Sequence, residues 1–388
     1  MAGEEQKRSR GSEAADLVVA GAGLIGLSGA LEAARSGLEV IVIDAGAAER
    51  ASEVAAGMIA PVGEASWGEE ALLAAALDSA ERWPGFAARL EDQSGEPVGY
   101  RPCGALHVGL DRDEAAELRR IHGLHDELGL DAEWLTPGAC RRLEPGLSTD
   151  VTGGFVAPGE AEVDPRAVLV ALRAACERAG VRTLSGTVGQ VRMGGETGVR
   201  GVELEDRSAI DASRVLLAAG ARLSSLAPPG TAPIRPMKGE IVRLRARPGE
   251  EPCERIIVSE RVYVVPRAGG EVVVGATVED RGFDRRVTAG GVHELLREAY
   301  RALPEIAELE LVGCAAGLRP ATPDNAPIIG SAGVEGLLVA GGHHRNGVLL
   351  APLTAAAIGA MLRGELATPR LAAGQRVEVV EAIGGGCR

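Results

Sequence analysis

The sequence has few aromatic residues and few cysteines, and both shortages limit what the chain can be. Phe, Trp and Tyr make up 2% of the 388 residues, so Ala, Val, Leu and Ile have to build the core. The six cysteines are scattered, without a CxxC pair or a Cys/His cluster. This pattern argues against a zinc site or a disulfide framework and suits a reducing cytoplasm. We therefore expect no metal site.

Basic patches and long apolar runs are also missing. The net charge is -14, and no basic run follows the first dozen residues, which argues against nucleic-acid binding. The chain lacks a charge-free apolar run of about 18 residues, the length that a transmembrane helix needs. The polar N-terminus, MAGEEQKRSRGSEAAD, lacks the apolar centre of a signal peptide. These features predict a cytoplasmic protein without a membrane span.

A glycine-rich turn stands out near the N-terminus. Residues 17–44, LVVAGAGLIGLSGALEAARSGLEVIVID, predict a buried strand, a helix and a second strand, with GxGxxG at Gly21, Gly23 and Gly26. The glycines would permit a tight turn, close approach of a pyrophosphate and close packing of helix on strand. Asp44 ends the second strand, where its carboxylate can accept a hydrogen bond from a ribose hydroxyl. The pattern predicts a dinucleotide site but does not separate NAD from FAD.

Two further loops favour a cofactor that extends beyond its pyrophosphate. Residues 49–61, ERASEVAAGMIAP, form a loop of small residues directly after the second strand. Residues 340–352, AGGHHRNGVLLAP, predict a strand, a glycine loop and a helix that starts near Gly347. This second glycine loop argues against an NAD-dependent dehydrogenase. For His343 and His344, which lie in a tight loop, hydrogen bonding to the backbone is a simpler interpretation than a catalytic role.

The remaining pattern predicts an α/β fold, α+β overall, in which one domain interrupts another. A discontinuous Rossmann-like dinucleotide-binding domain would comprise residues 16–95, 158–230 and 312–368. An antiparallel-sheet substrate domain would comprise residues 96–157 and 231–311. Helices are expected near 69–90, 113–128, 163–181 and 288–302, and GGETG near 194–198 is expected to be a hairpin turn.

One arginine has no obvious local partner. In GLRPATPDNAPIIG, residues 317–330, Arg319 stands among glycine, proline and small apolar residues, and the only nearby carboxylate is Asp324. A partly buried guanidinium requires an anion beside it. Arg319 therefore either pairs with Asp324 or binds an anion from outside.

Together these segments resemble the FAD-dependent D-amino acid oxidase superfamily, and within it the glycine oxidase type of thiamine biosynthesis. The resemblance rests on VVAGAGLIGLSGALEAARSG, ASEVAAGMIAP, PIRPMKGEIVRL, VYVVPRAGGEVVVGATVED, AGLRPATPDNAPIIG and GGHHRNGVLLAP, which follow the family order across about residues 16–365. It implies that Arg319 and Tyr263 hold a substrate carboxylate and that Arg345 lies in the substrate pocket. The cofactor contacts that it implies, together with the glycines of the turn, are Gly21, Gly23, Leu24, Ile25, Gly26, Asp44, Ala45, Ala51, Ser52, Ala56, Gly57, Met58, Val188, Gly220, His343, His344, Arg345, Asn346, Gly347, Val348 and Leu349.

The implied reaction is oxidative deamination of glycine to the imine, then to glyoxylate and ammonia, with formation of hydrogen peroxide. The partners would be glycine, oxygen and thiazole synthase, and we also expect a homo-oligomer. Sarcosine, D-proline or another small D-amino acid remains the alternative substrate, and an idle flavoprotein of the thiazole pathway is a second alternative. Intact Arg319 and Tyr263 argue against the idle form.

Two departures from the family pattern bear on the cofactor and the substrate. Val278 replaces a methionine of the family's GATM sequence, which changes the shape of the pocket. Gly317 takes the position of the cysteine that tethers the flavin in sarcosine-oxidase-like enzymes, and Cys314 lies three residues away. We therefore expect non-covalent FAD.

The C-terminal tail, residues 369–388, ends in a short strand pattern and a glycine run. It is similar to the end of the small sulfur carrier of thiazole synthesis, although a disordered tail is the simpler interpretation.

Overall fold

The structure is a computed structural model that describes residues 13–46, 50–195, 198–229, 231 and 233–365. Its strands are β1 (Glu13–Ala20), β2 (Val40–Asp44), β3 (Met58–Ile59), β4 (Ala105–Gly109), β5 (Glu133–Leu135), β6 (Gly153–Ala157), β7 (Ala161–Glu162), β8 (Arg182–Ser185), β9 (Val188–Gly194), β10 (Gly198–Leu204), β11 (Ala209–Leu217), β12 (Arg235–Arg245), β13 (Ile256–Val258), β14 (Tyr263–Pro266), β15 (Glu271–Gly275), β16 (Glu310–Ala321), β17 (Ile328–Ser331) and β18 (Leu337–Gly341). Its α-helices are α1 (Leu24–Arg35), α2 (Ala51–Val54), α3 (Glu70–Ser94), α4 (Arg112–Leu128), α5 (Pro137–Leu143), α6 (Pro165–Arg178), α7 (Ala289–Ala302) and α8 (Ala351–Leu362).

The first sheet carries the predicted dinucleotide turn. Its strand order is β17-β18-β11-β1-β2-β8, with β1, β2, β8, β11 and β18 parallel and β17 antiparallel to β18. The hairpin of β9 and β10 joins it through β11. Helices α1, α3, α6 and α8 cover one face, and Val18, Ile41 and Val215 pack in a second core on the other. Strands buried on both faces need continuous apolar sequence, as in VIVID of β2.

The second sheet has the order β16-β12-β15-β14-β13-β4-β6-β5. Helix α7 packs on it through Leu295 and Ala299, in a core shared with Val242 and Val264. Its pairs are antiparallel, as predicted, except that β4 runs parallel to β13. Strands separated by about 150 residues meet there, and no local pattern encodes that pairing. The α/β fold class, with one unit interrupting another, is confirmed.

Several helix ends follow the local signals in the sequence. The Asp164 side chain caps α6 by accepting from the Arg166 N–H, and Gly129 ends α4 in a left-handed conformation. Helix α3 continues to Ser94, past the predicted end, and Gly95 terminates it. The helix expected near Gly347 begins only at Ala351, because a 3₁₀ turn, His344–Asn346, comes first.

The chain ends are described only in part. Residues 1–12 of the predicted N-terminal segment 1–15 and the whole predicted tail 369–388 lie outside the described residues, whereas residues 13–15 belong to β1. None of the described helices combines the length and the apolar character needed to cross a bilayer. Within the described ranges, no group of three or more His, Cys, Asp or Glu side chains could hold a metal ion.

Candidate active site

A cavity of about 850 Å³ opens where the two sheets meet. One wall comes from the carboxyl ends of the parallel strands β1, β2, β11 and β18, and the other from β12, β14, β15 and β16. The carboxyl ends of parallel strands are the usual place for a ligand in open α/β sheets. The volume is typical of sites for large organic ligands.

The turn after β1 is shaped by backbone crowding. Gly21 has φ of 121°, and a Cβ at this position would lie 2.4 Å from the carbonyl oxygen of Ala218. A Cβ on Gly26 would lie 1.9 Å from the carbonyl oxygen of Gly21, so both positions require glycine. Helix α1 begins at Leu24, on the cavity wall, and directs the positive end of its dipole at the cavity. This geometry suits a pyrophosphate.

The end of β2 carries a pair of opposite charges. Asp44 lines the cavity, accepts a hydrogen bond of 2.9 Å from the Gly46 N–H and forms an ion pair with Arg50. Arg50 also lies on the cavity wall, which the sequence did not reveal. Its guanidinium fixes the carboxylate at the place where a ribose hydroxyl is expected.

The loop between β2 and β3 is held in place by contacts with Val163 and Arg267. Gly57 has φ of 80°, and a Cβ there would lie 1.9 Å from the carbonyl oxygen of Val163. The buried Arg267 donates to the carbonyl oxygens of Ala56 and, at 2.6 Å, Val163. Its guanidinium therefore stabilises a loop whose backbone faces the cavity.

The C-terminal loop places two histidines in different surroundings. The buried His343 ring hydrogen-bonds through Nε2 to Thr354 Oγ1 at 2.9 Å, so its partner is a side chain of α8 and not the backbone expected from the sequence. Burial lowers the pKa of His343 to about 4. The pKa of His344 is also lowered to about 4, first by burial and then by the charges of Arg319 and Arg345. Both rings are therefore neutral near pH 7.

The predicted cofactor positions gather around this one cavity. Gly26 alone among them packs behind the wall, against the Gly21 turn. The others line the cavity: Gly21, Gly23, Leu24, Ile25, Asp44, Ala45, Ala51, Ser52, Ala56, Gly57, Met58, Val188, Gly220, His343, His344, Arg345, Asn346, Gly347, Val348 and Leu349. A glycine cradle, a helix N-terminus and the Asp44 carboxylate fit the pyrophosphate and ribose of FAD, and the rest of the cavity leaves room for its ring system.

Arg319 projects from β16 at the far end of the cavity. Its guanidinium lies over Gly239, where a Cβ would be 2.2 Å from Nη1. Nη1 donates to the carbonyl oxygens of Thr277, at 3.0 Å, and of Lys238, at 3.4 Å. In the described part of the chain no carboxylate pairs with it, and Asp324 instead accepts a backbone N–H within its own turn. The cation is therefore free to bind an anion in the cavity.

Tyr263 lies beside Arg319. It opposes Gly275 on the next strand, and a Cβ on Gly275 would lie 2.4 Å from the Tyr263 hydroxyl oxygen. Burial raises the pKa of Tyr263, while the nearby Arg319 charge acts in the opposite direction. The hydroxyl therefore stays protonated near neutral pH and can donate a hydrogen bond to the same anion.

Arg345 differs from Arg319 because carboxylates already surround it. Its Nε pairs with Glu64, and its Nη2 lies 3.7 Å from Glu69 Oε2. The prediction placed Arg345 in the pocket without these partners, since nothing local to either segment links them. Of the two glutamates, Glu64 lines the cavity.

Two departures from the family pattern can now be placed in the structure. Gly317 and Val278 both line the cavity, and Val278 is largely exposed at its mouth. A Cβ on Gly317 would lie 3.1 Å from Val54, so this position has little room for a cysteine side chain. Cys314 is an exposed residue of β16 outside the cavity wall. This arrangement suits non-covalent FAD.

Some cavity residues were not found from the sequence. Gly239 and Gly275 make room for Arg319 and Tyr263, and glycines inside strands of apolar residues could have signalled such a close approach. Arg50 and Glu64 lie in loops without a periodic pattern, and only the fold brings them to the cavity.

A dinucleotide cradle that shares a cavity with an unpaired arginine defines a flavin-dependent oxidoreductase site. The chain belongs to the FAD dependent oxidoreductase family (DAO), whose model matches residues 16–361. This match confirms FAD as the cofactor and supports the resemblance stated from the sequence.

Within the family, the chain is similar to glycine oxidases. It is 34% identical over 92% of its length to the bifunctional protein ThiO/ThiG of Trichormus variabilis, and covers 54% of that protein. The chain thus spans about half the length of this relative. The crystal structure of glycine oxidase from Geobacillus kaustophilus matches with a TM-score of 0.86 and 30% identity, over 93% of this chain and 99% of that one. An iminodiacetate oxidase from Chelativorans sp. BNC1 matches with a TM-score of 0.82 and 26% identity, over 92% and 97%.

Proposed function

We propose that the protein oxidises glycine to its imine with FAD, so that glyoxylate, ammonia and hydrogen peroxide follow. The observation that carries this proposal is the Arg319 guanidinium, which lies in the cofactor cavity without a carboxylate partner among the described residues and beside a protonated Tyr263 hydroxyl. A planar guanidinium can hold a carboxylate through two parallel hydrogen bonds. The match to glycine oxidases supports the same substrate class.

The residues of the chain mainly position the reactants. Arg319 and Tyr263 fix the substrate carboxylate, and the glycine turn, Asp44 and the loop with Gly57 would hold FAD. When bound, FAD supplies the two-electron oxidation of the substrate carbon and returns the electrons to oxygen. Fixing the carboxylate orients the substrate carbon, and such positioning can account for a large part of the rate.

We propose the division of the chain as it was drawn from the sequence. Residues 16–95, 158–230 and 312–368 would bind FAD, and residues 96–157 and 231–311 would bind substrate. The two sheets support most of this division, because β1, β2, β8, β11 and β18 belong to the first set and β4, β6, β12, β14 and β15 to the second. Strand β16 is the exception: it pairs with β12 in the second sheet, although residues 312–321 were assigned to the first set.

We also propose a role in thiazole formation for thiamine, with a thiazole synthase as partner and a cytoplasmic location. The support is the similarity to the bifunctional protein ThiO/ThiG, of which the chain covers 54%. A homo-oligomer remains a prediction from the sequence.

Sarcosine, another small D-amino acid or a secondary amine is the alternative substrate. The exposed Val278 at the cavity mouth leaves room for a substituent larger than hydrogen, and the structural match to an iminodiacetate oxidase widens the alternative to N-substituted glycines.

An anaerobic titration of the FAD-loaded protein tests the proposal. Glycine should bleach the visible absorbance of the flavin, and air should restore it with formation of hydrogen peroxide. Sarcosine, D-proline and iminodiacetate, titrated in parallel, rank the alternatives. A flavin that none of these amines reduces would contradict the proposed function.

A further inference from the structure

Glu64 brings a negative charge into the part of the cavity where the substrate would bind. It follows β3 in the loop of residues 60–64 and lines the same cavity as Arg319 and Tyr263. The side chain keeps 33% of its surface accessible, and the cavity is the space that it faces. Burial raises the pKa of Glu64, whereas the charge of the paired Arg345 acts to lower it and favours the carboxylate. Burial is the main cause of the raised pKa of Tyr263, and the charge of Glu64 adds to it.

The position of Glu64 is fixed from both sides. Gly63 donates its N–H to the buried Glu160 carboxylate at 2.6 Å, and a Cβ on Gly63 would lie 2.3 Å from the ring of His107. On the other side Arg345 pairs with Glu64. The loop therefore has little freedom to withdraw the carboxylate from the cavity.

The charges around Arg345 do not cancel. Its guanidinium contacts two carboxylates, those of Glu64 and Glu69, so the trio keeps one negative charge in excess. Glu69 also accepts a hydrogen bond of 2.8 Å from the Asn325 side chain, which holds it away from the cavity wall. Arg345 is therefore occupied as a cation, and Arg319 is left to bind the substrate carboxylate.

We propose that Glu64 is a specificity-determining residue that excludes substrates carrying a second negative charge, so that only amines with a single carboxylate are oxidised. The inference rests on the proposed function and narrows its substrate class. The first carboxylate is attracted by Arg319, whereas a second one would meet the Glu64 carboxylate in a cavity shielded from bulk water, where like charges repel strongly. Arg345 acts through Glu64 as a positioning residue.

Two N-substituted glycines test this charge rule directly. Sarcosine and iminodiacetate differ in carrying N-methyl or N-carboxymethyl, so the change in the ratio of their kcat/KM values between wild type and the nearly isosteric Glu64→Gln variant reports the effect of the second charge. In FAD-loaded Glu64→Gln protein, kcat/KM for iminodiacetate relative to sarcosine should rise by roughly tenfold or more over wild type. Glu69→Gln is the matched control. Glu69 also contacts Arg345 but lies outside the cavity wall, so removing its carboxylate should shift the ratio less.

A binding measurement separates this inference from the proposed activity. Acetate and malonate, which are not oxidised, are titrated against the flavin absorbance of each FAD-loaded variant. The ratio of the malonate Kd to the acetate Kd should fall by about tenfold in Glu64→Gln. If wild type oxidises none of the amines, the proposed function fails, yet this ratio still decides the role of Glu64.

An unchanged preference in Glu64→Gln, with FAD bound and normal thermal unfolding, would overturn the inference. If that variant does not fold, Glu64→Ala provides the second test. It removes the same carboxylate and should move both ratios in the same direction as Glu64→Gln. Ratios equal to those of wild type in Glu64→Ala would overturn the inference equally.

Discussion

At the scale of single residues, Arg319 differs from Arg50 and Arg345 because it contacts backbone carbonyls and the Tyr263 hydroxyl instead of carboxylates. A carbonyl orients a guanidinium but does not neutralise it, so the cation remains available for a substrate. Arg50 and Arg345, by contrast, already pair with carboxylates. From the sequence alone, either Asp324 or an external anion could pair with Arg319. In the structure Asp324 accepts a backbone N–H of its own turn and does not pair with Arg319.

The first prediction concerns the Arg319 guanidinium, which can offer two parallel N–H donors to a carboxylate. Arg319→Lys keeps the charge but loses the two parallel N–H donors, so kcat/KM for the amine substrate should fall by about ten- to a hundredfold. Steady-state peroxide production measures it. Arg261→Lys, an exposed arginine on the cavity wall, is the control, and an equal loss in both variants would contradict a special role for Arg319.

The second prediction concerns His343 and acid stability. Its pKa in the folded protein is lowered to about 4 from an ordinary 6.5, so between these values the unfolded chain binds a proton that the folded chain does not. The contribution of His343 is therefore complete above pH 6.5 and is lost as the pH falls toward 4, by roughly 3 kcal/mol at most.

Denaturant unfolding of wild type and His343→Gln between these pH values measures the effect. The wild type should lose more stability on acidification than the variant, because Gln does not titrate. His125, whose pKa is also lowered to about 4 by burial, titrates in both proteins and cancels in the comparison. Identical pH dependence in the two proteins would show that His343 takes up its proton without unfolding.

At the scale of strands and loops, glycines inside strands create the space for the Arg319 and Tyr263 side chains. The third prediction uses this feature: Gly239→Ala should displace the Arg319 guanidinium and lower kcat/KM by about tenfold or more, since its Cβ would overlap Nη1. Gly313→Ala is the matched control, because its Cβ on β16 would meet nothing within 4 Å. FAD content should stay normal in both variants, and equal activities would contradict the steric argument.

Turns and helix ends show which features of the fold the sequence can predict. The glycine turn, the Asp164 cap and the end of α4 at Gly129 were correct because each depends on residues a few positions apart. The start of the last helix was wrong, since the 3₁₀ turn at His344–Asn346 is held by packing against other segments.

Contacts between distant segments could not be predicted. The partners of Arg345 come from a loop about 280 residues earlier in the chain, and the parallel pairing of β4 with β13 joins two segments far apart in sequence. The resemblance to a family supplied Tyr263 and Arg345, but not the carboxylates around Arg345. Long-range charge pairs require the fold itself.

At the scale of the whole molecule, the cavity lies between two sheets whose walls would both contact the cofactor. The fourth prediction is that FAD stabilises the protein strongly: at a free FAD concentration of 100 times its Kd, folding should gain about 2.7 kcal/mol. Thermal unfolding of FAD-depleted and reconstituted protein measures this. Equal Tm values would mean that FAD contributes little to the folded state.

The buried Arg267 has a consequence for how substrate enters. It extends from the second sheet and bonds to Glu162, to the Val163 carbonyl and to the Ala56 carbonyl, while Arg101 bonds to the same Glu162 and to the Pro266 carbonyl. These hydrogen bonds connect the end of β14 with β7 and with the loop before β3, which lines the cavity. Separating these segments would break several charged hydrogen bonds at once. For the reaction proposed above, we therefore expect substrate and product to pass at the rim of the cavity, around Val278 and Phe283.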